Sequence, residues 1–309
     1  MKTDLRFAFR QLLKSPGFTF LAVLTLALGI GLNTAIFSLI NDLFLRGLPF
    51  KDPARVVHLF TKPKGGDTFD YPLSAPRFMH YRDGQQIFDG FAAETNTAFT
   101  LTGSGEPVLL QGFRTTANYF DVLGVRPIMG RTFLAQEEEG ADVALVSEKF
   151  WSTRLGSDPN VIGRSITLDG MPHTIVGVLP NMPARWVGPN GNEIWTTKPF
   201  VIAGFSHERM MRGTAFLRVI GRMKAGQTVE QVQAALQPLA QSYKNENPGK
   251  IDADVVGFLN PLPEDVSGDL RPAFGTLLAA VGFVLLIACS NVANLLLVRF
   301  NGRRREIAL

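Results

Sequence analysis

Two long stretches of the chain carry no charged residue, and the residues between them alternate on much shorter periods. Residues 17–40, GFTFLAVLTLALGIGLNTAIFSLI, are charge-free over 24 positions, and residues 273–298, AFGTLLAAVGFVLLIACSNVANLLLV, over 26. At about 1.5 Å of rise per residue, either stretch reaches about 36 Å or more as a helix. A hydrocarbon core of about 30 Å can be crossed by such a helix with some tilt, so two transmembrane helices are expected. A cleaved signal peptide competes for the first stretch, because basic residues precede it and Ala27 and Gly29 are small. The apolar part of a signal ends after about 7–15 residues, whereas this one runs on to Ile40. A buried core helix competes for the second, but such helices rarely stay charge-free for so long.

Residues 41–272 mix strand and helix patterns with no sustained repeat of 20–50 residues. Thr97–Thr102 and Pro107–Phe113 alternate as strands around the turn Gly103-Ser104-Gly105. Thr116 is placed to cap a short helix through Leu123, which Gly124 closes. Val143–Val146 is an apolar strand, and Ser147 caps a helix EKFWSTRL ending at Gly156. Ser165–Leu168 and His173–Leu179 flank Asp169-Gly170, a two-residue hairpin signal. Ala215–Met223 reads as a strand, and Thr228-Val-Glu-Gln231 as a capping box opening a helix to about Asn245. Residues 251–262 look extended, and 181–192, rich in Pro, Gly and Asn, read as a loop. Strands and helices in mixed order, with hairpins, predict an α+β domain.

Charge gives the topology. The chain carries +4 at pH 7, with a pI near 9.3, which invites a nucleic-acid reading. Residues 1–14 hold Lys2, Arg6, Arg10 and Lys14 against Asp4, and residues 299–309 hold Arg299, Arg303, Arg304 and Arg305 against Glu306. Each end is +3, which leaves −2 for residues 15–298. No folded face gathers basic residues, so nucleic acid is set aside as a partner. Lys and Arg collect on the cytoplasmic side of membrane spans. Both ends are therefore expected in the cytoplasm, with residues 41–272 outside. In residues 1–16, Leu5, Phe9, Leu12 and Leu13 recur at helical spacing while Lys2, Arg6, Arg10 and Lys14 recur every four positions. This predicts an amphipathic helix on an anionic lipid surface, with a partner-binding helix as the alternative. Only 19% of residues are charged, against about 25% in soluble chains.

The spans contain polar but no ionisable residues: Asn33, Thr34 and Ser38 in the first, Ser290, Asn291 and Asn294 in the second. Ala27, Gly31 and Ala35 form a row of small residues one turn apart, so helix packing is favoured over an ion pathway. Cys289, the single cysteine, reads as a small packing residue.

Catalytic chemistry is not apparent. His58, His80, His173 and His207 are widely spaced, and His207-Glu208 meets Met211 where a zincin has its second His. Gly249-Lys250 lacks the upstream glycine of a phosphate-binding loop, and no G-x-S-x-G occurs. Glu137-Glu138-Glu139 offers either a cation site or a solvated loop. Phe60, Phe69, Tyr71, Phe78 and Tyr81 offer either an apolar site or ordinary core. The expectation is a non-catalytic protein with no cofactor and no metal.

Several blocks carry a resemblance. LLKSPGFTFLAVLTLALGIGLNTAIFSLINDLFLRGLPF at 12–50 resembles the start of MacB/FtsX-type ABC transporter permeases, particularly the large duplicated type common in acidobacteria. LTGSGEPVLLQGFRTTANYFDVLGVRPIMGRTF at 101–133 and VALVSEKFWSTRLGSDPNVIGRSITLDGMPHTIVGVLP at 143–180 resemble that family's periplasmic core domain. AVGFVLLIACSNVANLLLVRFNGRRREIAL at 280–309 is similar to its second span and cytoplasmic exit. The expected organisation is a cytoplasmic amphipathic segment at 1–16, a span at 17–40 and a two-subdomain α+β periplasmic core at 41–272. A span at 273–298 and a cytoplasmic exit at 299–309 complete it. The resemblance implies a bacterial inner-membrane permease that works as a dimer of permease units with a separate cytoplasmic ATPase. Membrane lipid, and a periplasmic adaptor of unknown identity, would be further partners. It implies that motion passes through the spans to the outer domain, and that Arg303, Arg304, Arg305 and Glu306, with Arg299 before them, lead toward the ATPase-contacting segment. Anchoring by positive charge is the other role for these arginines. The family continues past Leu309 with two more spans, so the resemblance implies a fragmentary permease. A true two-span sensor, or an FtsX-like regulator of cell-wall hydrolases, is the alternative.

Overall fold

The computed structural model describes residues 16–40, 50–62, 70–103, 105–182, 193–202, 204–267, 275–287, 289–290 and 293. They belong to two units, a central domain Leu48–Val266 and a second unit of the flanks Met1–Gly47 and Ser267–Leu309. Lys2, Arg6, Arg10, Lys14, Phe69, most of the 181–192 loop, Asn291, Asn294, Arg299, Arg303, Arg304, Arg305 and Glu306 lie outside the described residues.

In the flanking unit, α1 (Pro16–Ile40) is a helix of 25 residues without a charged side chain. Residues 275–287 are also helical. The side chains along α1 are described only in part, and among the described residues no helix is long and apolar enough to cross a membrane. Most of those that are described stand outward, Phe20 at 68% exposure and Ile30 at 60%, while Thr19 and Asn33 are half-buried. Ala27, Gly31 and Ala35 are exposed as well, and a Cβ added at Gly31 would meet nothing within 4 Å. Asn33 Nδ2 donates to the Gly29 carbonyl at 2.9 Å and Thr34 Oγ1 to that of Ile30 at 2.8 Å, so these polar groups are satisfied by their own helix. Cys289 is exposed among the described residues.

The central domain is built on one mixed sheet. Its strands are β1 (Val56–Lys62), β2 (Leu73–Ser74), β3 (Phe88–Thr102), β4 (Val108–Thr115), β5 (Met129–Gly130), β6 (Val143–Ser147), β7 (Ser165–Leu168), β8 (Met171–Leu179), β9 (Ile194–Thr196), β10 (Ala215–Met223) and β11 (Val256–Pro261). They run in the order β11-β1-β10-β3-β4-β9-β6-β8-β5, with β2 on β10 and β7 bridging β3 and β8. β4–β9 and β6–β8 are parallel and the other pairs antiparallel. The predicted α+β class is what the sheet has.

The helices of the domain are α2 (Ala75–Gly84), α3 (Tyr119–Leu123), α4 (Glu137–Gly140), α5 (Glu148–Arg154), α6 (His207–Met211), α7 (Val229–Glu246) and α8 (Leu262–Ser267). Local chemistry sets several of their ends. Ser147 Oγ accepts from the Phe150 amide at 3.0 Å, and Thr228 and Gln231 form the expected reciprocal box. Asp169 and Gly170, at φ 50° and 80°, make the tight turn between β7 and β8.

Alternation along the strands gives the sheet two faces. One face, here the front, carries a single core running across both halves: Val56, Ala92, Phe113, Leu145, Val176, Trp195 and Ile220, covered by Phe120 and Leu123 of α3. The back carries two separate cores. Leu59, Phe91, Ala93 and Val219 are covered by Phe78 and Tyr81 of α2 and Val232 and Leu236 of α7. Phe99, Leu110, Ala144 and Ile175 are covered by Phe150 of α5. The two expected subdomains correspond to these back faces only. They share the sheet and the front core, so residues 48–266 form one compact unit.

Some local expectations are corrected. β3 begins at Phe88, nine residues before the predicted start, because its first half is paired to β10 as well. Thr116 does not cap α3: its hydroxyl accepts from the Ala93 amide across the sheet at 3.1 Å, and the helix starts only at Tyr119. Glu137–Glu139 form the first turn of α4 and not a loop, and only Glu139 of the three is exposed. Glu137 takes both guanidinium nitrogens of Arg131 at 2.8 and 2.7 Å and the Leu134 amide at 2.8 Å, while Glu138 accepts from the Ala117 amide at 2.9 Å and from Arg82 at 3.1 Å. Of 251–262, only Val256–Pro261 is strand.

Candidate functional site

The chain enters the domain through β1 and leaves it through β11, and these two strands pair directly. Their antiparallel register runs from Val57 opposite Pro261 to Lys62 opposite Val256. Just outside the pair, Phe50 before β1 and Leu262 after β11 are both buried in the front core, at 6% and 0% exposure. The two covalent connections to the flanks are therefore held against the same apolar cluster. On the front face Phe60 of β1 stacks on Phe258 of β11, with centroids 5.8 Å apart, and the Lys62 ammonium sits 5.2 and 5.4 Å from the two rings.

Behind the outgoing strand lies a buried charge cluster. Arg77 on α2 has no solvent exposure. Its Nε donates to Asp252 Oδ2 at 3.2 Å, its Nη1 to the Tyr81 hydroxyl at 2.9 Å and its Nη2 to the Asp252 carbonyl. Asp252 Oδ2 also accepts from Ser74 Oγ at 2.6 Å, and Oδ1 from the Tyr243 hydroxyl at 2.9 Å. The guanidinium lies 4.5 Å from the Tyr243 ring centre. Burial, with the Asp252 charge and hydrogen bond behind it, pushes the Tyr243 hydroxyl well up. Burial also raises Tyr81, against the pull of Arg77. A buried carboxylate with all these donors is satisfied, and it ties β2, α2 and α7 to the loop that leads into β11.

A second buried acid marks the middle of the sheet. Glu94 stands where β3 passes from β10 to β4, opposite Arg218 on one side and Thr115 on the other. It is 2% exposed and lies 3.0 Å from Arg218 Nη1. Burial raises its pKa, against Arg218 and a hydrogen bond from Tyr119. On the back face, beyond the core covered by α5, a cavity of about 230 Å³ opens around Arg114.

The four histidines stay apart, and among the described residues no three His, Cys, Asp or Glu gather as a metal site would need. Phe78 and Tyr81 are core, with Phe78 stacked on Phe91 at 5.2 Å, while Tyr71 is partly exposed. Arg77, Asp252 and Arg114 were not singled out by sequence. For the start of α2, which carries Arg77, a signal existed: Ser74 followed by Pro76 opens a helix, and the Ser74 hydroxyl accepts from the Arg77 amide at 3.2 Å.

This architecture is that of an α+β domain inserted in a longer chain through adjacent incoming and outgoing strands. The family described as MacB-like periplasmic core domain matches residues 19–239, well over half of the chain. The chain belongs to that family and carries a MacB/FtsX-like periplasmic domain of an ABC transporter-type permease. It is 23% identical over 297 residues to the macrolide export ATP-binding/permease protein MacB of Chromobacterium violaceum, covering 94% of this chain and 44% of that protein. The chain thus spans less than half the length of this curated relative. Its fold matches the periplasmic region of MacB from Actinobacillus actinomycetemcomitans at a TM-score of 0.50 and 13% identity, over 74% of this chain and 95% of that one. It also matches a domain of a putative permease from Porphyromonas gingivalis at 0.50 and 15%, over 69% and 92%.

Proposed function

We propose that the chain is the N-terminal permease part of a MacB/FtsX-type ABC system, carrying motion from a cytoplasmic ATPase to a periplasmic domain that handles an exported or extracytoplasmic substrate. In this reading 17–40 and 273–298 cross the inner membrane, residues 1–16 lie on its inner surface, and both ends face the cytoplasm. A separate ATPase supplies hydrolysis, and a second permease copy completes the unit. Arg303, Arg304 and Arg305 lead toward the ATPase, and the exposed row Ala27, Gly31 and Ala35 packs against another helix of the assembly.

The observation that carries the reading is the pairing of β1 with β11 over a core that includes both Phe50 and Leu262. A displacement delivered at either connection meets a packed cluster and an antiparallel ladder, so it moves the domain as a body.

The test is cysteine labelling of the native polypeptide in intact cells, in a Cys289→Ser background. With a membrane-impermeant maleimide, Glu106→Cys is expected to label from outside, while Lys2→Cys and Arg303→Cys label only after permeabilisation. The triple change Arg303, Arg304 and Arg305 to Glu is then expected to reduce co-purification of the ATPase. Labelling of Glu106→Cys only after permeabilisation overturns the topology. Unchanged ATPase association in a correctly inserted triple variant overturns the coupling role.

A further inference from the structure

On the back face of the sheet, Arg114 of β4, Thr196 of β9 and Ala144 of β6 stand opposite one another in adjacent strands. Beyond this row the core covered by α5 stops, and the cavity of about 230 Å³ takes its place. Its walls are apolar where Phe99, Leu168, Met171 and Val201 face it. Its polar groups are mostly committed. Lys198 Nζ is paired to Asp142 Oδ1 at 2.7 Å, Asp169 Oδ1 accepts from the Thr100 amide at 2.7 Å, and His173 Nδ1 lies 3.0 Å from the Met171 carbonyl.

Arg114 is the exception. Its Nε is buried and has no hydrogen-bond partner among the described residues, and the guanidinium rests over the Phe99 ring, 5.4 Å from its centre. Gly112, two residues earlier on the same face, makes this possible, because a Cβ there would come within 2.9 Å of the Phe99 ring and closer still to the Ile194 carbonyl. Loss of water lowers the Arg114 pKa, and the carboxylates of Asp169 and Asp142 act in the opposite direction. A half-buried guanidinium with an open fork, stacked on an aromatic wall, is a recognition element for a planar anion.

We propose that this cavity is a binding site for a monocarboxylate that carries a small aryl or short alkyl group. The volume decides the apolar part, since an engineered cavity of about 150 Å³ holds benzene and this one leaves room for a ring and a short arm. The charge balance decides the anion. Lys198 is balanced by Asp142 and Asp169 stands near Arg114, so the cavity suits a singly charged group and has no excess positive charge for a dianion such as phosphate. Free acids and the C-terminal residue of a peptide share this chemistry.

The experiment titrates three isosteres into the full chain in nanodiscs by calorimetry: 3-phenylpropionate, 3-phenylpropionamide and 3-phenylpropylamine. The carboxylate is expected to bind at least tenfold tighter than the amide, and the amine not at all. Arg114→Gln is expected to bring the carboxylate down to the level of the amide, with Arg114→Lys in between. Met171 is 54% exposed, and Met171→Glu, which puts a negative charge into the wall, is expected to weaken the carboxylate by more than it weakens the amide. Acetyl-Gly-Phe with a free carboxylate, titrated in parallel, distinguishes the sources: binding of the peptide points to a chain terminus, binding of phenylpropionate alone to a free acid. Equal affinity for acid and amide, preference for the amine, absence of binding by every probe at millimolar concentration, or an unchanged carboxylate affinity in both Arg114→Gln and Met171→Glu overturns the proposal.

Discussion

Removing the Asp252 carboxylate is expected to be among the costliest single changes in the domain. Asp252→Ala strands the Arg77 guanidinium, whose side chain has 0% exposure, with only the Tyr81 hydroxyl and the residue 252 carbonyl left to it. It also strands the hydroxyls of Ser74 and Tyr243. Breaking a buried ion pair from one side costs about 3–5 kcal/mol, because the remaining charge stays desolvated. For a domain of this size about 1 kcal/mol moves the melting point by about 2–4 °C, so the expected drop is about 6–20 °C. Asp252→Asn keeps the shape and one acceptor and is expected to cost less, about 2–3 kcal/mol. The double variant Arg77→Met/Asp252→Leu removes both charges together and is expected to recover much of the loss. The assay is thermal unfolding of the purified chain in detergent, followed by far-ultraviolet dichroism. A loss under about 1 kcal/mol for Asp252→Ala, or additive losses in the double variant, would refute the stranded-charge argument.

Two further outcomes follow from the same structure. The Arg131 guanidinium and the Leu134 amide hold the Glu137 carboxyl below the usual carboxylate range. Its stabilising contribution is therefore present above the ordinary glutamate pKa and is lost as pH falls through the lowered folded value. Glu137→Gln is expected to flatten the acid limb of a stability-against-pH curve, and an unchanged limb counts against the pair. Gly112→Ala places a Cβ against the Phe99 ring and the Ile194 carbonyl. It is expected to cost about 1–3 kcal/mol in chemical denaturation.

Much of the fold was legible because local chemistry decides it. Asp169-Gly170, Ser147 and Thr228-Gln231 each solve a backbone problem within four residues, and each turn or cap formed where the sequence put it. β1 and β9 carry patterns that make sense only with partners far along the chain, whereas α2 has a local start signal in Ser74 and Pro76. Ile194–Thr196 is three residues long and becomes a strand because β4 and β6 offer it ladders on both sides. Thr116 shows the same competition in reverse: a good cap by type, it is taken by the Ala93 amide of the neighbouring strand. Arg77 and Asp252, separated by 175 positions, and Arg114, whose open fork depends on Gly112 and Phe99, are properties of packing alone. No spacing announces them.

The role proposed for the outgoing strand can be separated from plain stability. Leu262 has no exposure and packs in the front core with Phe50, whereas Leu236 of α7, at 2%, packs in a back core. Truncating either to Ala creates a cavity of the same chemistry and costs about 2–5 kcal/mol. If motion enters through the connections, Leu262→Ala loosens the grip on the outgoing chain while Leu236→Ala leaves it in place. In the chain assembled with its ATPase in liposomes, Leu262→Ala is therefore expected to uncouple hydrolysis from movement of the outer domain. That movement is read as the change in fluorescence of a probe at Glu106→Cys on ATP addition. Leu236→Ala, at equal thermal destabilisation, is expected to retain it. Equal retention, or equal loss, in the two variants would leave Leu262 as an ordinary core residue and remove the mechanical argument drawn from β1 and β11.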